Sequence, residues 1–287
     1  MTSTNLYVEA RGEGCAVDPV YRFVNGVGRL ALRALAIDVR WSGVENVPLE
    51  GPVVLAATHV SYPDFVFIEK AAVTRGRLVR FMARHDVWDV PAVPWFMDRM
   101  RHIPVDRQAP AHAYLRARSL LRQGEAVGAF PEAGVSFSFT VRPLMRGLVA
   151  LAQETGAPVV PVGVWGTQRI FSVGDPAPPI DWTRGRRVDL AFGAPLYVGP
   201  ADDPVERTRE LGHVLTDLLE GLQQLPEHRP RPGEVATWYP AHLGGQAPTR
   251  RDAVLLDKVP LNAVLPTWGP TPEVFDDVSR RAPDANG

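Results

Sequence analysis

Apolar runs separated by helical patterns constrain this chain more than any other feature of its sequence. The clearest run, residues 52–57 (PVVLAA), has no polar side chain over six positions. A half-exposed strand alternates apolar and polar residues, so a continuous run predicts a strand covered on both faces. Four further, largely apolar runs predict strands at residues 78–82, 126–130, 158–164 and 188–192.

Helical patterns lie between these runs. Pro63 opens the first, because proline is tolerated in the first turn of a helix. Three more are predicted at residues 109–123, 143–154 and 204–225, the first two followed by Gly124 and Gly156. The alternation predicts an α/β fold, a mixed, largely parallel sheet flanked by helices.

The two ends of the 287-residue chain differ from this middle part. Residues 19–37 predict an amphipathic helix on which Arg22, Arg29 and Arg33 share one face. Such a helix suits a membrane interface, or equally a core with the arginines in water. Residues 226–287 are proline-rich and predict an extended tail. We therefore divide the chain into residues 1–38, a domain at 39–225 and a tail at 226–287.

Charge and cysteine content restrict the partners and the compartment. The formal net charge of −1 argues against a dedicated nucleic-acid-binding protein. Ten arginines and four aspartates between Arg75 and Arg122 give that stretch a net charge of +6. It would attract phosphate head groups, coenzyme A or an acidic carrier protein, unless it is simply a solvated helix face. A single cysteine, Cys15, forms no intrachain disulfide. With no signal peptide or spanning segment recognisable, we expect a cytoplasmic protein that lies peripherally on the inner face of the cell membrane.

The strongest chemical signal is the segment from His59 to Asp64, HVSYPD. The histidine follows a buried strand, at the edge where open α/β sheets gather their ligands and catalytic groups. Asp64 lies in the first turn of the next helix and can reach back to the ring. A carboxylate that accepts from one imidazole nitrogen leaves the other nitrogen as a base. Alternatively, His59 packs in a loop and Asp64 only caps the helix.

A second signal follows the strand at residues 126–130. Glu132 begins the segment EAGVS, which places a carboxylate beside the backbone N–H groups of a small-residue loop. The alternative is an ordinary strand exit in which Glu132 caps a nearby group.

Together these motifs resemble the glycerolipid acyltransferase family, whose hallmark is a histidine, any four residues and an aspartate. His59 and Asp64 match the hallmark fully. The block FPEAGVS at residues 130–136 matches the family's FPEGTRS at its first three positions and at Ser136. IPVDR at 103–107 matches a further block, although Arg101 and His102 stand where a glycine is expected. VPVG at residues 160–163 matches the fourth block.

The resemblance implies roles for these residues. His59 would be the general base and Asp64 would orient it. Arg107 and Glu132 would hold a polar acceptor. The family arginine that favours an anionic acceptor is replaced by Val135, so Arg142 or Arg146 would have to supply that charge. The remaining candidate substrate-binding residues are Gly134 and Ser136. Family members use no metal, and we expect no cofactor beyond an acyl-coenzyme A or acyl-carrier-protein donor.

The expected function is O-acyl transfer from such a thioester to a hydroxyl of a lysophospholipid-type acceptor, as in phosphatidic acid synthesis. An acceptor hydroxyl on a glycolipid or natural product is an alternative that the loss of the motif arginine favours. A non-enzymatic lipid-binding protein is a second alternative, but lipid binding alone needs no base. A serine hydrolase of the Gly-x-Ser-x-Gly type is not indicated, because that motif is missing from the sequence.

Overall fold

A computed structural model describes residues 19–106, 109–174 and 178–256. Its strands are β1 (Asp38–Ser42), β2 (Val53–Ala57), β3 (Val79–Arg84), β4 (Ile103–Val105), β5 (Ala126–Ala129), β6 (Val159–Trp165) and β7 (Arg187–Phe192). Its α-helices are α1 (Pro19–Ala34), α2 (Asp64–Ala72), α3 (Val93–Arg99), α4 (Ala111–Arg122), α5 (Gly147–Thr155), α6 (Pro204–Gln223) and α7 (Arg250–Leu256).

In the described residues the strands form one sheet in the order β1-β7-β6-β2-β5-β3-β4. Every neighbouring pair is parallel except β6 and β7, which are antiparallel. The predicted mixed, largely parallel sheet is therefore confirmed. Because β5, β2 and β6 are adjacent and parallel, the residues that follow them meet at one edge of the sheet.

Helices cover both faces of the sheet, as the continuous apolar run in β2 indicates. Val54 and Ala56 face a core shared with α4, α5 and α6. Val53, Leu55 and Ala57 face a second core that is shared with α2. All five residues of β2 are buried, which places this strand at the centre of the domain.

The apolar runs did not predict β1, β4 or α3. β1 alternates between exposed and half-buried positions and lies at the edge of the sheet, so it carries no apolar run. β4 has three residues, one of them Pro104, and forms the opposite edge. Both strands form because the neighbouring strand offers unpaired backbone groups, which is a tertiary effect.

The helix predicted from residue 143 begins only at Gly147, after an extended segment. The N–H of Met145 donates to the carbonyl oxygen of Pro131 at 2.9 Å. The N–H of Arg142 donates to Glu132 Oε2 at 2.7 Å. These bonds tie the segment to the residues that follow β5 and delay the helix by one turn.

Helix α1 is attached to the domain mainly through Tyr21, which is fully buried and donates to the carbonyl oxygen of Val79 at 2.7 Å. Beside it, burial raises the pKa of Glu69 to about 7. Phe23, Val27 and Leu30 share one face of α1 and point outward, with Phe23 64% and Leu30 68% exposed. This helix therefore presents an apolar face that the described part of the domain leaves uncovered.

The described part of the tail packs on the domain. Tyr239 lies in the same core as α4, α5 and α6, and its hydroxyl donates to the carbonyl oxygen of Gln223 at 2.8 Å. His228 is buried and its Nε2 lies 2.7 Å from Asp189 Oδ2 in β7. Residues 226–256 thus contribute side chains to the core. Residues 1–18, with Cys15, and 257–287 lie outside the described residues.

Candidate active site

His59 and Asp64 lie where β2 ends, between the residues that follow β5 and β6. His59 comes two residues after β2, and Asp64 is the first residue of α2. His59 Nδ1 is 2.9 Å from Asp64 Oδ2. The structure therefore joins the two side chains that the sequence singled out, even though they are five residues apart.

Asp64 is fully buried, and its carboxylate is saturated with donors. Oδ2 accepts the N–H groups of Val60 and Ser61 at 2.9 Å each, in addition to its contact with His59. Oδ1 accepts the hydroxyl of Thr167 at 2.5 Å. Hydrogen bonds to a carboxylate favour its charged form and fix its orientation. Asp64 therefore does more than cap the helix, since it also positions the imidazole.

His59 is held on its ring face as well as at Nδ1. Its ring stacks on Phe130 with centroids 3.9 Å apart and planes at 17°. The side chain keeps 15% of its surface exposed. With Nδ1 directed at Asp64, Nε2 is the nitrogen left to exchange a proton with a bound molecule.

Glu132 is 2% exposed and binds backbone N–H groups, one of them in the loop at residues 58–63 that contains His59. Its Oε1 accepts the N–H of His59 at 2.8 Å and its Oε2 accepts the N–H of Arg142 at 2.7 Å. These two hydrogen bonds satisfy the buried carboxylate even when no acceptor substrate is bound. Glu132 thus fixes the backbone at His59 and Arg142, and its contact with a polar acceptor stays a prediction.

The loop after Glu132 is tied to His59 and to itself. The N–H of Ser136 donates to the carbonyl oxygen of His59 at 2.9 Å, and its Oγ donates to the carbonyl oxygen of Thr140 at 2.7 Å. Gly134 is half-buried in the same loop. Ala133 has φ of 54°, a left-handed conformation that costs other residues more than glycine. The family motif has glycine at this position, the residue that adopts such a φ at the lowest cost.

The three candidate arginines are placed differently. Arg142 is buried, and its Nη1 donates to the carbonyl oxygen of Val135 at 3.3 Å. Arg146 is exposed at the N-terminal cap of α5. Arg107 lies outside the described residues, so its position relative to His59 stays a prediction.

Arg101 stands where the second block expects a glycine, and it too is left-handed, with φ of 58°. Its guanidinium donates to Glu125 Oε1 at 2.5 Å and to Gln123 Oε1 at 2.7 Å. The next residue, His102, is buried, which lowers its pKa to about 4, and its Nδ1 accepts the N–H of Phe81 at 3.0 Å. Both residues are thus engaged in holding the turn before β4.

Sequence reasoning missed Thr167. Its signal was available, because Thr167 follows β6 by two residues just as His59 follows β2 by two. Thr167 can reach Asp64 only because β2 and β6 are neighbours in the sheet, and the sequence does not show that strand order.

Three adjacent parallel strands thus bring a histidine–aspartate pair and a buried glutamate to one edge of the sheet. The acyltransferase family model matches residues 38–165. Over these residues the chain is similar to the acyltransferases that this model describes.

Individual relatives agree with this assignment. The chain is 29% identical over 136 residues to the Brassica napus chloroplastic 1-acyl-sn-glycerol-3-phosphate acyltransferase BAT2, a match that covers 46% of this chain and 38% of the relative. It is 27% identical over 179 residues to the 1-acyl-sn-glycerol-3-phosphate acyltransferase of Bacillus subtilis, covering 62% and 83%. The fold is similar to the crystal structure of the 1-acyl-sn-glycerophosphate acyltransferase PlsC from Thermotoga maritima, with a TM-score of 0.60, 24% identity and coverage of 71% and 80%.

Proposed function

We propose that this protein is an O-acyltransferase that moves a fatty acyl group from a coenzyme A or carrier-protein thioester to a hydroxyl of a lysophospholipid-type acceptor. The observation that carries the proposal is the 2.9 Å contact between His59 Nδ1 and the buried carboxylate of Asp64. The relatives named for acylation of 1-acyl-sn-glycerol-3-phosphate support the substrate class.

The geometry supports direct transfer. His59 Nε2 takes the proton of the acceptor hydroxyl, and the oxygen attacks the thioester carbonyl to form a tetrahedral intermediate. The C–S bond then breaks, the ester forms, and the proton passes from Nε2 to the leaving thiolate. Asp64 keeps its charge throughout and stabilises the imidazolium that forms in between.

The test is acyl transfer by the purified protein with palmitoyl-coenzyme A and lysophosphatidic acid, followed by mass spectrometry. His59→Ala should lower the rate by about 10²- to 10⁴-fold, the usual contribution of a general base. His242→Ala is a matched control, because His242 is exposed and pairs with Glu220 away from the site. Activity of His59→Ala above about a tenth of the wild-type rate would contradict the catalytic assignment.

Thioester consumption separates the proposal from its rivals. A transferase releases free thiol only when acceptor is present, a hydrolase releases it without acceptor, and a lipid-binding protein releases none. The assay can be run with a thiol reagent before the acceptor is known.

A non-phosphorylated acceptor is the second candidate, and Val135 is the observation that favours it. Val135 is buried and takes the place of the motif arginine. If the acceptor is a phosphate ester, Arg107 is expected to bind it, and Arg107→Ala should raise the acceptor KM about 10- to 150-fold while leaving the donor KM nearly unchanged. Arg107→Lys should recover only part, since it lacks the bidentate fork. An effect on the donor KM instead would place the arginine at coenzyme A, and no effect on either would favour the uncharged acceptor.

We further propose that α1 binds the membrane surface. No described helix is long and apolar enough to span a bilayer. The outward apolar face of α1 suits an interfacial helix, and the arginine stripe beside it suits anionic head groups. Partial burial lowers the pKa of Lys70 on α2, and the nearby charges of Arg29 and Arg33 lower it further. Positive charge is therefore concentrated on this side of α1.

Co-sedimentation with anionic liposomes tests this surface. Phe23→Asp with Leu30→Asp should abolish most of the binding. The matched control is Val235→Asp with Leu255→Asp, since these residues are 71% and 68% exposed in the tail. A wild-type protein that never binds such liposomes would show that the exposed face has another role.

A further inference from the structure

We propose that Thr167 is a positioning residue that sets the orientation of the Asp64 carboxylate and, through it, of the His59 imidazole. The inference rests on the proposed function for its kinetic consequence, but its structural claim can be tested without any substrate.

The two oxygens of Asp64 have different tasks. Oδ2 receives the imidazole and two backbone N–H groups, all at 2.9 Å. Oδ1 accepts the Thr167 hydroxyl, at 2.5 Å. Because a carboxylate can rotate about its last bond, a donor on Oδ1 is needed to keep Oδ2 turned toward Nδ1.

Burial makes this hydroxyl difficult to replace. Thr167 and Asp64 are both 0% exposed, so neither side chain is in contact with bulk solvent. A carboxylate oxygen left there without a donor would be strongly disfavoured. Any substitution that removes the donor should therefore move the Asp64 carboxylate.

The backbone around Thr167 is shaped to bring it beneath Asp64. Gly166 has φ of 102°, and a Cβ at this position would lie 2.3 Å from the carbonyl oxygen of Arg187. Only glycine fits such a turn against the neighbouring strand. The turn ends β6 abruptly and brings Thr167 to the edge where β2 ends.

The segment that follows Thr167 also forms hydrogen bonds with the loop that contains His59. Ser61 Oγ donates to the carbonyl oxygen of Phe171, and Ser172 Oγ donates to the carbonyl oxygen of Val60 at 2.9 Å. With the Thr167 bond, three side-chain hydrogen bonds connect residues 167–172 to residues 60–64. The contact between Thr167 and Asp64 is thus one of a set of hydrogen bonds that join the segments following β2 and β6.

The experiment compares Thr167→Val, Thr167→Cys and Thr167→Ser, which remove, weaken and retain the hydroxyl donor. We expect Val to lower kcat about 10- to 100-fold, the loss that a hydrogen bond to a charged group implies, with both KM values within about twofold. Ser should stay within about threefold of wild type and Cys should fall between. Thr208→Val is the matched control, because Thr208 is equally buried and its hydroxyl donates to the carbonyl oxygen of Pro204 within α6.

A second readout follows the imidazole itself. In protein labelled with ¹⁵N-histidine, His59 is assigned from the spectrum of His59→Gln. We expect the Nδ1–H tautomer in wild type, Thr167→Ser and Thr208→Val, and an altered tautomer or titration in Thr167→Val. If Thr167→Val does not fold, the same comparison between Cys and Ser decides the question.

The outcomes separate the two proposals. Thr167→Val, or failing that Thr167→Cys, with wild-type kcat and an unchanged tautomer overturns the positioning role while leaving acyl transfer intact. Equal impairment of Ser and Val also overturns it, because the hydroxyl would then not be what matters. If wild type transfers no acyl group but the tautomer changes as expected, the positioning role holds and the proposed function fails.

Discussion

The contacts of Glu132 allow one substitution to be predicted in detail. Both of its carboxylate oxygens accept backbone N–H groups, from His59 at 2.8 Å and from Arg142 at 2.7 Å. In Glu132→Gln the shape is kept, but one oxygen becomes an NH₂ group. In either orientation of the amide, its NH₂ group faces a backbone N–H, that of His59 or that of Arg142, and the hydrogen bond is lost.

The cost follows from these distances and from burial. A hydrogen bond to a charged group contributes about 1.5–3 kcal/mol, and an N–H left buried without an acceptor costs a further part of its desolvation. We therefore expect Glu132→Gln to lower the free energy of unfolding by roughly 2–4 kcal/mol. At about 2–4 °C per kcal/mol for a domain of this size, the melting temperature should fall by roughly 4–16 °C.

The assay is thermal melting monitored by circular dichroism, with acyl transfer measured well below the transition. Glu154→Gln is the matched control, because Glu154 is exposed and its pair with Arg118 lies on the surface, where such pairs contribute about 0–1 kcal/mol. Activity of Glu132→Gln should fall as well, since the bond to the N–H of His59 is one of the two that can be lost. A melting temperature equal to that of Glu154→Gln would refute the reasoning and return Glu132 to the role of an acceptor ligand.

Three further predictions concern single residues. Asp64→Asn should lower kcat strongly, because the neutral amide lacks the negative charge that stabilises the His59 imidazolium; steady-state kinetics with a melting curve checks this, and an unchanged kcat would reduce Asp64 to a helix cap. Ala133→Gly should raise the melting temperature, because glycine relieves the left-handed φ of 54° by about 1 kcal/mol; no increase would mean that the turn is unstrained. Glu69 has a pKa of about 7 when folded, above its unfolded value, so the folded state binds the extra proton and loses stability as pH rises toward 7. Denaturant unfolding from pH 5 to pH 8 should show wild type losing stability relative to Glu69→Gln, and parallel curves would contradict the assigned pKa.

The sequence by itself was enough for the central strands and for the pair that defines the site. Residues 52–57 and 158–164 are apolar because β2 and β6 are buried on both faces, and burial on both faces leaves a pattern that needs no knowledge of neighbours. His59 and Asp64 could be joined for a similar reason. They lie five residues apart across one strand-to-helix turn, so their contact is local.

Only the tertiary structure decided what depends on strand order. Glu132 lies 73 residues from His59 and Thr167 lies 103 residues from Asp64, and both contacts exist because β5 and β6 flank β2. Strand order is set by packing among all the helices and strands, which no local pattern encodes. The sequence likewise could not predict that Phe23 and Leu30 point outward. An apolar helix face has the same residue pattern whether it packs on a core or contacts a membrane. Among the described residues nothing covers that face, because the buried Tyr21 attaches α1 by another side.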